Sequence, residues 1–586
     1  MRELGYEMIN GLNWRNRELR QHVKVIDGLV APTLVLKNST YLNVYTKQWL
    51  EANIWIFNDR IIYVGEQLPK QLDGVEVVDC TGKYLVPGYI EPHAHPFQLA
   101  NPEALAFHAA RFGTTTLVND SLTWNLTLDK KKAFSIIEEF NKLPTSMYWW
   151  ARFDSQTALN DEEEFYNTPD VLSWLSHPNV VQGGELTAWP SLLAGNDRLL
   201  YWIQEAKRLG KPVEGHLPGA SEKTLTKMKL LGVSADHEAM TGEEVIRRLR
   251  LGYSAALRYS VIRPDLPILI EEILESGLKH FDNLMFTMDG PTPAFMQKGI
   301  INVCLEIALD KGIPLEEAYR MASYNAAKHF HLDEQIGSIA PGRVAHINIL
   351  TDKANPHPES VLAKGQWIMR EQQVQVSESK INWEKYGIEP AAFDWDLDEG
   401  DLQFSVPIGL EMVNNVIVKP YSIEVDINVE DLSEANGDQF LLLMDRKGTW
   451  RVNTTIRGFA PGLGGIASSF SASGDIVFIG KNKKDILLSW QRLKEIGGGI
   501  VLVHDGEILA EIPLELDGFI SKKSIQNLIE EEEKLKGCLK KAGYAFSDPF
   551  YSLLFLSSTH LPFLRITQQG LVDIKNRTIL FPATMR

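Results

Sequence analysis

The sequence predicts an α/β protein: a TIM (β/α)8 barrel with a split β-sandwich domain and an additional C-terminal α+β domain. Three observations predict it. Short apolar strand candidates alternate with helical stretches eight times between residues 85 and 288, the signature of βα units around a parallel sheet. Runs of strand character lie on both sides of that stretch. After about residue 396 the alternation gives way to strands and long helices in another order. A chain of 586 residues is long enough for this division, because single cores stop growing near about 250–300 residues. The expected boundaries are 1–85 and 335–395 for the two parts of the β-domain, 86–334 for the barrel and 396–586 for the last domain.

The first β-segments are 33–36, 41–45, 53–57 and 60–64, with Asn58-Asp59 as a hairpin turn between the last two. The barrel strands are expected at 85–90, 115–119, 147–151, 180–184, 213–215, 233–236, 254–258 and 284–288. Helices over 103–112, 130–141, 199–209 and 242–251 connect some of them. Eight units over about 250 residues match the usual barrel size. The alternative, an open doubly wound sheet, usually places a Gly-rich phosphate turn after its first strand; here that strand leads into His93-Ala94-His95-Pro96. Segments 337–343, 345–350 and 366–369 read as the returning strands of the β-domain. In the last domain, strands are expected at 410–418, 421–426, 440–444, 449–457, 475–479 and 499–504, with helices over 482–495 and 524–542. Its glycine clusters lack the Lys-Ser/Thr of a P-loop.

Composition narrows the function. A net charge of −17 argues against nucleic acid or an anionic membrane as the main partner, because phosphate binding uses clustered Lys and Arg. The partner expected is a small molecule. No stretch has the roughly 20 apolar residues of a membrane span, and residues 1–23 lack the apolar core of a signal peptide. The expected location is cytoplasmic, and a homo-oligomer is expected. The three dispersed cysteines, Cys80, Cys304 and Cys538, exclude a Cys-rich zinc site and a dense disulfide framework.

The chemistry lies where barrel active sites are built, at the carboxyl ends of the strands. Strand one ends in His93-Ala94-His95, and residues i and i+2 of an extended chain point to the same side. Strand four ends at Glu185, five at His216, six at His237 and eight at Asp289. Each residue alone has an ordinary structural explanation; their joint placement on one rim points to one or two divalent ions such as Zn, Fe or Mn. Two ions bridged by a carboxylate lower the pKa of bound water toward neutrality, and an Asp beside it can pass its proton to a leaving group. The reaction class is hydrolysis at an electrophilic carbon: an amide, an amidine or an aminated heteroaromatic ring. Glu238 is a candidate to bond a ring nitrogen or the leaving amine, or is a solvated strand-end carboxylate. Arg258 either orients a substrate or forms a rim salt bridge. Trp149, Trp150 and Trp189 either stack on a flat base or pack the rim. His346 reads as structural, and His329 and His331 lie outside the site.

These motifs resemble the amidohydrolase superfamily: His93-Ala94-His95 after Val86-Pro87-Gly88-Tyr89-Ile90-Glu91-Pro92, and Gly337-Ser338-Ile339-Ala340-Pro341-Gly342-Arg343. Gly184-Glu185, Gly215-His216-Leu217-Pro218-Gly219-Ala220, Ser234-Ala235-Asp236-His237-Glu238 and Met288-Asp289-Gly290 are closest to its adenine deaminase branch. Gly462-Leu463-Gly464-Gly465 and Gly497-Gly498-Gly499 resemble that branch's C-terminal domain. The resemblance implies hydrolysis of adenine to hypoxanthine and ammonia at a two-metal Mn or Fe centre. It implies His93, His95, His216 and His237 as ligands, Glu185 as the bridge, and Asp289 as ligand and proton shuttle; His237 and Glu238 are, with Asp289, the candidate catalytic residues.

The sequence also departs from that pattern, as a divergent subgroup would. Phe97 stands where the branch has Glu, which makes Phe97 a candidate substrate-binding residue alongside Arg258 and Trp189. Asp120-Ser121-Leu122-Thr123 replaces Asp-Pro-His-Glu, Gly290 replaces a second Asp, and Ser471-Ala472-Ser473-Gly474-Asp475 replaces His-Asp-Ser-His-Asn. The alternatives are another amidohydrolase reaction (cyclic amide hydrolysis, deacylation, or deamination of another amino-purine or a pterin) and a catalytically weak purine-binding homologue.

Overall fold

Eight strands run parallel in the chain's central sheet, in sequential order. The structure is a computed structural model and describes residues 16–376, 381–433, 435 and 437–586; the expectations for residues 1–15 lie outside them. The barrel strands are Tyr89–Ala94, Thr114–Asn119, Ser146–Ala151, Val180–Leu186, Val213–Gly215, Ala235–Asp236, Ser254–Arg258 and Leu284–Thr287. Between them pack helices that include Pro102–Arg111, Lys130–Phe140, Asp197–Arg208 and Gly242–Arg250. Their polar starts are capped: Asn101, Asp129, Asn196 and Thr241 each accept a backbone N–H of the first turn. Inward side chains Ile90, Val118, Trp150, Val181, Ala256 and Met285 pack with Phe330 and Ile336, which plug the amino-terminal end. The barrel is nearly closed. Buried Glu91 joins strands one and eight by accepting from the Thr287 hydroxyl (2.6 Å) and the Met288 N–H (2.9 Å).

A nine-stranded mixed sheet draws strands from before and after the barrel, including Leu34–Asn43, Gln48–Phe57 and Arg60–Gly65, then Ile347–Leu350, Ser360–Ala363 and Gln366–Arg370. Several expectations need correction here. The segments 33–36 and 41–45 form one strand whose register shifts between Leu36 and Ser39, with Asn38 at φ 56°. The single strand expected at 85–90 is two: Tyr84–Pro87 belongs to this sheet, and the barrel strand starts at Tyr89. No strand forms over 337–343, where Gly337 (φ 82°) and Gly342 (φ 85°) turn the chain.

The last region carries a second nine-stranded sheet with helices Lys483–Glu495 and Ile525–Lys541. The strand expected at 410–418 is instead a hairpin of Ile408–Met412 and Val418–Ser422. Strands Gly465–Ser468 and Glu507–Pro513 were not anticipated. This region sits on the carboxyl rim of the barrel. Glu532 accepts from Thr292 (2.6 Å) and Ala294 N–H (2.8 Å), Thr157 donates to Ser557 O (2.7 Å), and Tyr551 bonds the Gly290 carbonyl. No helix among the described residues is long and apolar enough to cross a membrane.

Candidate metal centre

The six strand-end residues singled out above converge. Ligand atoms of His93, His95 and Glu185 lie within 4.8 Å of one another, as do those of His93, His237 and Asp289, and those of Glu185, His216 and His237. Glu185 therefore stands between two histidine pairs, with His216 Nδ1 2.6 Å and His237 Nε2 3.5 Å from its Oε1. On the other side, His93 and His95 Nε2 are each 3.9 Å from its Oε2. Asp289 Oδ1 faces the same two nitrogens at 3.5 and 3.2 Å.

The rings are aimed from behind. Glu214, buried on strand five, contacts His93 Nδ1 (2.8 Å) and His237 Nδ1 (3.1 Å) through its two oxygens. Asp120 contacts His95 Nδ1 (2.9 Å) and is gripped by Arg152 at 2.7 and 2.5 Å. Asp236, paired with buried Arg248, accepts from Leu217 N–H (2.9 Å) and Glu238 N–H (3.2 Å), fixing the loops beside His216 and His237. Carboxylates of this kind fix the tautomer and direct the opposite nitrogen toward an ion.

The donor set fits cations. With Nδ1 of His93 and His95 committed as donors to carboxylates, their Nε2 lone pairs confront each other at 3.2 Å, an arrangement that needs positive charge between them. His237 Nε2 is buried with no hydrogen-bond partner among the described residues. Five carboxylates (Asp120, Glu185, Glu214, Glu238 and Asp289) face three guanidiniums (Arg152, Arg258 and Arg263), leaving excess negative charge among the imidazoles. Burial opposes the charge of Glu185, yet His216 and Arg152 hold its carboxyl well below the usual range. Burial is likewise outweighed at Asp289 by Arg258.

Replacing Glu214 by Gln leaves one of the two rings without its acceptor. The expected result is a 10–100-fold loss of metal affinity, read by competition with a chelator; unchanged affinity would deny Glu214 its orienting role.

A cavity of about 440 Å³ opens above these residues, within the range of small-molecule sites. Glu238 lines it, buried and held ionised against the effect of burial by Arg258 and Arg263, the latter at 2.6 Å. Arg258 bonds both Glu238 and Asp289 Oδ2 (2.7 Å), which favours the salt-bridge alternative for it, although it also lines the cavity. Phe97 lines the cavity too, edge-on to Trp124 at 4.8 Å. Trp189 is not brought there: it begins the short helix Trp189–Leu193 and packs on the hydrophobic core. Trp149 and Trp150 are fully buried, the latter stacked on His93 at 4.7 Å. His346 bonds Ser146 (2.9 Å), while His329 and His331 bond Ser254 and Gly210 O, away from the cavity.

Local backbone explains two glycines of the site, one of them a departure from the branch's pattern. Gly290 has φ 71°, and a Cβ there would lie 2.8 Å from His95 Cβ, so a second Asp cannot occupy this arrangement. Gly184 has φ 88°, with a Cβ clashing at 2.4 Å with Glu214 O, so only glycine places Glu185 so close to strand five.

Five residues of the site were not anticipated as such. Glu214 and Arg152 had a signal, a charge in or just after an otherwise apolar strand. Asp120 was visible as the surviving Asp of its motif. Gln156 donates to Glu185 (3.0 Å) from a loop. His560 arrives from the C-terminal region, its ring edge-on to His216 at 5.1 Å; burial and His216 push it down to about 3. Neither Gln156 nor His560 carries a local motif.

Residues 84–368 match the amidohydrolase family, and residues 416–578 match the adenine deaminase C-terminal domain. The chain is similar to the Oceanobacillus iheyensis protein named "Putative adenine deaminase", at 68% identity over 99% of this chain and 100% of that protein. Proteins of the same printed name from Halalkalibacterium halodurans and Bacillus cereus are 52% and 51% identical. Each alignment covers 98% of this chain, with 99% and 97% of the respective relative.

Proposed function

The chain belongs to the amidohydrolase family, in its adenine deaminase branch, and from that premise we propose that it hydrolyses adenine to hypoxanthine and ammonia. The observation that carries the chemistry is Glu185 standing between His93/His95 and His216/His237, with Asp289 facing the first pair. The substrate rests on the C-terminal domain and on the names of the relatives. These residues would hold two divalent ions, Mn or Fe, with Glu185 shared.

When bound, such ions make a hydroxide nucleophile available at neutral pH. Asp289 Oδ1 accepts the proton released as water adds to C6 and returns it to the departing amino nitrogen. Arg258, on Asp289 Oδ2, weakens the carboxylate as a base, so that the proton is handed on and not retained. Glu238, anionic at the cavity edge, accepts from an N–H of the substrate. Phe97 and Leu122 supply apolar walls where the branch has acidic and imidazole groups, which suits the flat faces of a purine. The C-terminal region excludes water by covering the rim.

Ammonia release from a panel of amino-purines and pterins tests the reading. Adenine is expected to have the highest kcat/KM; another heterocycle preferred by tenfold or more would reassign the substrate, and release from none would remove deamination.

A further inference from the structure

We propose that His560, carried by the C-terminal region, is a substrate-contacting residue of the barrel site that hydrogen-bonds the edge of the bound heterocycle. The inference rests on the deaminase reading above and deepens it, because it gives the C-terminal region a part in substrate recognition.

His560 lines the same cavity as Glu185, Glu238 and Asp289. Its Nδ1 is buried and has no hydrogen-bond partner among the described residues. A buried polar atom without a partner calls for an explanation. An imidazole offers both a donor and an acceptor, as do the edges of an amino-purine.

The loop carrying His560 is built with unusual care. Thr559 N–H donates to Gln156 O (2.9 Å), and Thr157 donates to Ser557 O (2.7 Å). Gln156 itself sits at φ 62° and donates from its side chain to Glu185, so one residue joins the loop to the centre of the metal cluster. From the other side comes Arg565, 1% exposed. Its guanidinium meets no carboxylate among the described residues and is spent on three carbonyls: Val416 (2.8 Å), Phe555 (3.2 Å) and Pro562 (3.4 Å). Burying an unpaired guanidinium is destabilising. What it secures here is the segment 555–562, on which Phe555, His560, Leu561 and Pro562 line the cavity and His560 is the one polar side chain among them.

A ring that merely fills space would be replaceable by a side chain of similar bulk. The test is therefore His560→Met, which keeps bulk and loses the hydrogen bond, beside His560→Gln, which retains one. Adenine kinetics and metal per chain are measured for both. His560→Met is expected to raise KM at least fivefold, with kcat within threefold and metal content unchanged, and His560→Gln to recover most of the loss. An active wild-type enzyme whose KM moves less than fivefold in His560→Met overturns the inference alone. So does a change confined to kcat, or a loss of metal, since either gives His560 another role. A wild-type protein inert toward adenine overturns the reading of function and the inference with it.

Discussion

Asp289→Asn is expected to lower kcat on adenine by about 10³–10⁴-fold, within the range of general acid–base catalysis, while the protein keeps its metal. The amide cannot take up the proton released by the attacking water, yet its oxygen can still face the imidazoles. Three features make the effect specific. Asp289 faces both His93 and His95 Nε2 through a single oxygen, Oδ1, at 3.5 and 3.2 Å. Its Oδ2 is committed to Arg258, so Oδ1 alone is free for the transfer. Its backbone, at φ 51°, is fixed by the Asp289 N–H bond to Thr287 (3.0 Å), which limits rescue by a neighbouring group. At about 1.4 kcal/mol per decade, the loss amounts to about 4–5.5 kcal/mol of transition-state stabilisation. Activity within tenfold of wild type would place the proton transfer elsewhere, with Glu238 the next candidate.

Glu185→Ala is expected to abolish both activity and metal retention. Glu185 belongs to two of the three ligand groups and stands between the histidine pairs, so its loss leaves them with no shared donor. Arg152 keeps its Asp120 partner, and the fold should therefore persist by circular dichroism while metal falls below about a tenth of the wild-type content. Full metal content in a folded Glu185→Ala protein would show that the two histidine pairs hold their ions independently. That result would contradict a shared carboxylate.

How much of this could be read from the residues depends on where the information is local. The barrel followed from alternation of strand and helix, a pattern written within each unit of about 30 residues. His93, His95, Glu185, His216, His237 and Asp289 could be found because this fold concentrates function at strand ends, so position along each unit sufficed. The residues that aim them could not be found so directly. Glu214 acts on two rings from different strands, a relation that exists only once the barrel nearly closes. His560 meets His216 across more than 300 residues of sequence. Trp189 shows the opposite failure: its chemistry suited a base-stacking role, but the helix it begins turns it onto the core. At 337–343, apolar residues suggested a strand that its two left-handed glycines prevent.

The most direct test of the account is to strip the protein of metal, restore Mn or Fe in steps, and follow ammonia and hypoxanthine formed from adenine against metal bound per chain. The account predicts no turnover without metal, a rise that reaches its plateau at two ions per chain, and one ammonia for each hypoxanthine. Undiminished adenine deamination by the metal-free protein would contradict it, as would two tightly bound ions with no ammonia released.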